Sequence, residues 1–303
     1  MREDDISGSI PPRINIRGIL ETVMKISVII PTYNEEKVIG ECLESLFEQT
    51  LKDFEIIVVD DGSADKTKHV LRNFQFPISN FQLLEQKHMG PGQARNLGAK
   101  EAKGEILVFV DADMTFDKNF LRNLIKPIIA GKANGTFSKY EYVANWKNVW
   151  ARCWNINQGW EEKRRHPKNY PNTQPVFRAI LKKEFDKVGG FDPKLGYMDD
   201  WSLSEKLGYQ ALAADGAVFY HENPGSLVEV SDQARWMGKR PYKLGVVGNI
   251  VALVRASFPI SIIIGLIKSA ASQTPAFLIF KIIYDFGIFV GISEHLFLGK
   301  QVK

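Results

Sequence analysis

The chain has 303 residues, 45% of them hydrophobic and 24% charged, which is enough apolar material for a sizeable core and too much for a disordered or fibrous protein. Its two cysteines, Cys42 and Cys153, give no disulfide framework and read as small buried hydrophobes in a reducing compartment. The net charge of +4 is uneven: residues 236–303 hold eight Lys or Arg against Asp285 and Glu294, a local +6, so the first 235 residues stand near −2 and offer no basic surface for nucleic acid.

Residues 1–23 have no sustained period and carry Pro-Pro, which reads as a poorly ordered lead-in with Met24 as an alternative start. Three runs then share one grammar: KISVIIPTYNEE (25–36), FEIIVVDDGSAD (54–65) and EILVFVDADMTFD (105–117) are apolar, β-rich stretches that end abruptly in polar and acidic residues. They read as buried parallel strands. After the first, Val38, Ile39, Cys42, Leu43, Leu46 and Phe47 recur at helical spacing, with Asn34 as N-cap and Glu35 and Glu36 in the first turn. Strand, helix, strand implies right-handed crossovers and an open doubly wound sheet, whose ligand edge lies beyond the carboxyl ends of its strands. Capping explains part of the polarity there, at Asn34, Ser63 and Asp117, but not acids doubled at two neighbouring strand ends.

The residues at that edge suggest a chemistry. PTYNEE offers aromatic and polar groups to stack on and hydrogen-bond a base, and Asp61 in VVDDGS offers an acceptor for a base N–H or a ribose hydroxyl. There is no G-x-G-x-x-G after the first strand and no G-x-x-x-x-G-K-[ST], which argues against a dinucleotide dehydrogenase or a P-loop enzyme. Asp111 and Asp113, at i and i+2 of a strand, are expected to project together. Two converging carboxylates suit a hard divalent ion, Mg²⁺ or Mn²⁺, which completes its shell with water and substrate phosphates.

Beyond about residue 130 the pattern loosens, and all six tryptophans fall between 146 and 236. Trp146, Trp150 and Trp154 make one helical stripe, either core or a surface for a sugar or lipid-linked acceptor. EEKRRHPKNYPNTQ (161–174) reads as an acceptor or phospholipid loop, or as a solvated charge run. The tail is the most apolar part, in VVGNIVALVRASFPISIIIGLI (246–267) and AFLIFKIIYDFGIFVGI (276–292). Arg255 and Pro259 interrupt the first and Lys281 and Asp285 the second, short of the roughly 20 uninterrupted apolar residues of a spanning helix. Basic and apolar together suggest helices lying on or partly in a bilayer; the other reading is core helices with charges snorkelling outward.

Four stretches carry a resemblance: VIIPTYNEE, IIVVDDGSAD, GPGQARNLGAKEAKGEILVFVDAD and VGGFDPKLGYMDDWSLSEKLG stand in the order and spacing of family 2 glycosyltransferases of the GT-A fold. Over about residues 25–236 the chain resembles that family. The resemblance implies an α/β fold, a mixed, mainly parallel sheet flanked by helices, with a helical apolar tail. It divides the chain into a nucleotide-sugar-binding half (24–130), an acceptor-binding and catalytic half (131–240) and a membrane-associated tail (241–303).

Site roles follow from the same resemblance. Pro31, Thr32, Tyr33, Glu35 and Asp61 fall where the family contacts the nucleoside, and Arg95 falls near the donor diphosphate, a role its bidentate, permanently charged fork suits. Asp111, Ala112 and Asp113 form the D-x-D, with Asp113 the direct metal ligand. The family's E-D pair, which supplies the catalytic base, reads Asp199-Asp200 here; Asp200 is preferred, but Asp in place of Glu leaves Asp199 open. His221 matches a histidine that completes the metal site or contacts the diphosphate, or it is an ordinary loop histidine. DQARW resembles Q-[QR]-x-R-W with Asp232 for the first Gln, so Arg235 and Trp236 are expected to close over the diphosphate or line the acceptor site. The implied activity is inverting transfer from a UDP- or GDP-sugar, with Mn²⁺ or Mg²⁺, to a hydroxyl of a glycan or lipid-linked acceptor at the cytoplasmic face of the cell membrane. The alternatives are direct transfer to polyprenyl phosphate and a non-catalytic nucleotide-sugar-binding scaffold.

Overall fold

A computed structural model describes residues 25–74, 80–193, 199–240, 242 and 244–298, so the lead-in at 1–23 lies outside the described residues. In chain order the first elements are β1 (Ile26–Thr32), α1 (Ile39–Phe47), β2 (Phe54–Asp60), α2 (Thr67–Asn73), β3 (Phe81–Glu85), α3 (Pro91–Glu101) and β4 (Ile106–Phe109). Next come β5 (Met114–Phe116), α4 (Phe120–Ile129), β6 (Gly135–Phe137), β7 (Tyr140–Val143), α5 (Val149–Gln158), β8 (Thr173–Gln174), β9 (Ala179–Leu181) and α6 (Lys182–Lys187). The last are α7 (Asp199–Leu207), β10 (Ala211–Ala213), β11 (Val218–His221), α8 (Leu227–Gly238), α9 (Gly245–Arg255), α10 (Phe258–Ala271) and α11 (Ala276–Leu298).

The main sheet has the order β3-β2-β1-β4-β9-β6-β10-β8. Its first four strands are parallel; β9 runs antiparallel to both β4 and β6, and β10 is parallel to β6. β1, β2 and β4 read as continuous apolar runs because both faces are covered. Val28, Ile30, Ile56, Val58, Ile106 and Val108 pack toward α1 and α4, while Ile29, Ile57, Val59, Leu107 and Phe109 pack with Ala94, Phe185 and Leu203 on the other side. Both cysteines are buried and free.

One local expectation changes and one open alternative is decided in part. α1 begins at Ile39, and Asn34, with φ of 58°, does not cap it; its Oδ1 accepts from Ala64 N at 2.8 Å and ties the β1 loop to the β2 loop. Two of the three stripe tryptophans belong to the core: Trp154 is buried with Phe280 and Tyr284, and Trp150 packs against the same cluster, while Trp146 lies before α5 and is half-buried.

A second sheet, β5-β11-β7, pairs β11 antiparallel to β5 and parallel to β7, and carries His221 toward the end of β4. α11 docks along α8 through three glycines. A Cβ on Gly238 would lie 2.6 Å from Ile288 O, one on Gly287 2.6 Å from Ser231 O, and one on Gly291 would overlap the Arg235 carbonyl. Ala276–Phe297 is long and apolar enough to cross a membrane, and α9 with α10 would pass the same test as one span bent by 62°. The acidic residues and the lysine of α11, Asp285, Glu294 and Lys281, are buried, while Ile279, Phe286, Phe289 and Phe297 are exposed on its other side. α9 and α10 leave Val246, Val247, Ile250, Val254, Phe258, Ile263 and Ile267 each more than half exposed. Thus α11 is docked on one side and apolar and exposed on the other, and α9 and α10 present a further uncovered apolar face.

Candidate active site

A cleft of about 550 Å³ opens at the carboxyl ends of the parallel strands. Of the predicted site residues, Pro31, Thr32, Tyr33, Glu35, Asp61, Arg95, Asp111, Ala112, Asp113, Asp199, Asp200, His221 and Trp236 all line it, joined by His88, Gly90 and Pro91.

The D-x-D is not extended. β4 ends at Phe109, and Asp111–Met114 form a turn in which Met114 N donates to Asp111 O at 3.3 Å. The two carboxylates therefore diverge rather than converge. Asp111 receives Arg95 Nη2 at 2.9 Å and Arg178 Nη1 at 3.0 Å. Burial alone would raise this carboxyl; Arg178 and Arg95 overcome it and hold it well below the usual carboxylate range. Asp113 instead faces solvent and accepts from, or shares a proton with, His221 Nε2 at 2.8 Å.

Behind His221 stands a relay that the sequence reading missed. His221 Nδ1 lies 3.1 Å from Glu141 Oε1, and Arg165 Nε lies 3.3 Å from the same oxygen. Burial and Arg165 disfavour the imidazolium, but Asp113 and Glu141 outweigh them and raise the His221 pKa. Burial likewise pushes Glu35 up to about 7, reinforced by the carboxylates of Asp113, Asp111 and Asp65 and opposed by His221. The 161–174 segment is thus more than a solvated run: His166 is buried, Arg165 braces Glu141, and Arg164 lies 5.3 Å from the Tyr142 ring centroid.

Arg95 is the hub of the cleft. Only 5% exposed, it reaches Asp200 Oδ1 at 2.7 Å and Asp199 Oδ1 at 3.3 Å, besides Asp111. Asp199 and Asp200 open α7, where the helix N-terminus favours negative charge. Their surroundings differ sharply, with Asp200's side chain 33% exposed and Asp199's 4%. Burial pushes the Asp199 carboxyl up to about 6; Arg95 pulls it down, and Asp200 adds to the rise. Gly92 makes this packing possible, since a Cβ there would sit 2.5 Å from Asp199 Oδ2.

At the nucleoside end, Tyr33 stacks on His88 with ring centroids 4.0 Å apart, an exposed flat shelf that a base can cover. Thr32 Oγ1 is buried and has no hydrogen-bond partner among the described residues. Asp61 departs from the expected free acceptor. Its oxygens receive Gln86 Nε2 at 2.6 Å and the backbone N–H groups of Met89 and Gly90 at 2.8 Å, with His88 Nδ1 at 2.9 Å. That fills the four acceptor positions of a carboxylate, so Asp61 shapes the His88–Gly90 loop.

Arg235 also departs from expectation. It turns away from the cleft to pair with Glu294 of α11, leaving Trp236 alone to line the cleft. Arg178 and Glu141 carry no local sequence signal; strand pairing brings them in, as when Phe109 N bonds Arg178 O across β4 and β9.

Among the described residues no three His, Cys, Asp or Glu side chains converge on one point. The donor set that does face the cleft, the Asp113 carboxylate and the His221 imidazole, fits a divalent ion that draws its remaining ligands from water and phosphate. Asp111, held by two guanidiniums, does not join it in this geometry.

Residues 27–189 match the family described as Glycosyl transferase family 2. A poly(ribitol-phosphate) beta-glucosyltransferase of Bacillus spizizenii is 46% identical over 94 residues, 30% of this chain and 15% of that protein. The chain spans 15–18% of the length of the first curated relatives it matches. Two solved structures share the fold. S. aureus TarS 1-349 in complex with UDP-GlcNAc superposes with a TM-score of 0.56 at 19% identity, covering 92% of this chain and 93% of TarS 1-349. The mannosyltransferase PcManGT from Pyrobaculum calidifontis, in complex with GDP-Man and Mn²⁺, gives 0.57 at 21% identity over 91% and 88% of the two chains.

Proposed function

Because the chain belongs to glycosyl transferase family 2, we propose that it is an inverting, divalent-metal-dependent glycosyltransferase. In this reading it moves a sugar from a UDP- or GDP-sugar to a hydroxyl of a glycan or lipid-linked acceptor, at the cytoplasmic face of a membrane. One observation carries the proposal: a single cleft collects an aromatic shelf, a carboxylate–imidazole pair, and a partly exposed carboxylate at a helix N-terminus. The UDP-GlcNAc of TarS and the GDP-Man and Mn²⁺ of PcManGT support the donor class and the metal, and leave the base open. The exposed apolar faces of α9 and α10 support the membrane.

Asp113 and His221 would hold the cation, which when bound stabilises charge on the departing diphosphate. Asp200 takes the proton from the acceptor hydroxyl as that oxygen bonds the anomeric carbon and the bond to the diphosphate breaks on the opposite face. No enzyme nucleophile is needed, and the anomeric configuration inverts. Asp200 suits this role better than Asp199 because its side chain is accessible, whereas that of Asp199 is buried. Arg95 fixes the directions of both carboxylates and of Asp111.

Transfer from a panel of UDP- and GDP-sugars with Mn²⁺ tests the reading. Asp200→Asn is expected to lower turnover by about 10²- to 10⁴-fold while the thermal shift produced by nucleotide and Mn²⁺ persists. Asp113→Ala is expected to abolish metal-dependent turnover with an unchanged circular dichroism spectrum; full activity in that variant refutes the metal assignment. Tight donor binding with no turnover of any sugar would mark the chain as a binding scaffold.

A further inference from the structure

The C-terminal helices enclose a second cavity, of about 610 Å³, away from the residues of the catalytic cleft. Leu244, Val251, Ile264 and Ile288 give it an apolar wall, and Arg255, Lys268 and Lys281 give it cations. Among the described residues Asp285 is the one carboxylate in the lining, and it is already engaged, with Lys281 Nζ at 2.7 Å on one oxygen and Ser261 Oγ donating at 2.6 Å to the other. Lys268 donates to the carbonyls of Ile156 and Asn157 at the end of α5, at 3.2 and 3.4 Å, neutral acceptors that leave its charge uncompensated. Arg255 is exposed and makes no ion pair among the described residues.

Three cations against one carboxylate, set into hydrocarbon, favour one kind of occupant. A neutral hydrocarbon would desolvate the cations without pairing them. A free inorganic anion would gain nothing from the apolar wall. An anionic amphiphile uses both surfaces. The helices that form the cavity also carry the uncovered apolar face of Val246, Val247, Ile250, Val254 and Phe258, where hydrocarbon is at hand.

We propose that this cavity binds one anionic membrane lipid, its phosphate head held by Arg255, Lys268 and Lys281 and its hydrocarbon chain lying along Leu244, Val251, Ile264 and Ile288. The assignment rests on the reading that the C-terminal helices lie on a membrane. Trp236 lines the catalytic cleft and Tyr242 lines the cavity, so at most about 20 Å of chain separates the two. A lipid seated there holds the cleft at a fixed height above the bilayer.

The test titrates the full chain with dodecyl phosphate below its micelle threshold, with dodecanol and with inorganic phosphate, by calorimetry, and measures flotation on phosphatidylglycerol and phosphatidylcholine vesicles. Dodecyl phosphate is expected to bind one to one, dodecanol at least about tenfold more weakly, and inorganic phosphate without saturation. Arg255→Glu is expected to weaken dodecyl phosphate by about tenfold or more and to leave the thermal shift by UDP or GDP unchanged. Inorganic phosphate competing on equal terms, or dodecyl phosphate indifferent to Arg255→Glu, overturns the assignment. A chain that floats on phosphatidylglycerol yet ignores dodecyl phosphate sinks the cavity alone. A chain that binds dodecyl phosphate but floats on neither vesicle keeps the cavity and sinks the membrane reading.

Discussion

Asp199 sits where a carboxylate is costly, and Asp200, one residue on, where it is useful. Burial sets the Asp199 pKa at about 6, above its ordinary 3.8, so the folded state favours the protonated form. The stability this contributes is complete below the unfolded pKa and is lost as pH rises through the folded one. Replacing Asp199 with Asn should remove that slope: between about pH 4 and pH 7 the melting temperature of the native chain should fall relative to the variant, and above that window the two curves should run parallel. Parallel curves throughout would mean that Asp199 titrates alike in the folded and unfolded chain. The residues themselves were legible. Asp111 and Asp113 stand out in the sequence because charge at the end of an apolar run has to be paired or solvated, and Arg95, Asp199 and Asp200 through the family resemblance. Their pairings were not, because Arg178 meets Asp111 through antiparallel neighbours 67 positions apart.

At the scale of elements, the parallel strands could be read because both faces are covered, leaving no polar residue until each strand ends. The turn at Asp111–Met114 could not. Strand periodicity carried past Phe109 predicts two carboxylates on one side, and a single turn sends one to arginines and the other to a histidine. Nor does a short glycine spacing announce a helix seam, yet Gly238, Gly287 and Gly291 let α8 and α11 approach backbone to backbone. Gly291→Ala should cost about 1–3 kcal/mol, read as a lower urea midpoint, because the new methyl meets a carbonyl that cannot move without its helix. An unchanged midpoint would show that the seam has slack.

For the whole molecule, the sheet runs through the boundary expected near residue 130, since β6, β9 and β10 extend the sheet begun by β1 to β4. The two halves are accordingly built on one framework. The tail divides by role: α11 packs into the body while α9 and α10 keep apolar side chains outward. The sequence showed this tail to be apolar and basic, but which helix turns inward depends on glycines meeting a partner helix far along the chain. Replacing Ile250 and Val254 together with Asp should cut flotation on anionic vesicles by about tenfold or more while the nucleotide thermal shift stays put. Undiminished flotation would move the contact elsewhere on the surface.

Arg95 contacts three carboxylates drawn from two distant stretches of chain, the end of β4 and the start of α7. A diphosphate entering the cleft becomes a fourth claimant on the same five N–H donors, so the direction of Asp200 depends on whether the donor is seated. On the proposed function the consequence would be temporal: the acceptor's place would be finished only after the nucleotide-sugar has arrived, and the nucleotide product would leave last. Initial-rate and product-inhibition patterns should therefore be those of a compulsory order with the donor first. A random order would mean that the guanidinium never changes its allegiance during turnover.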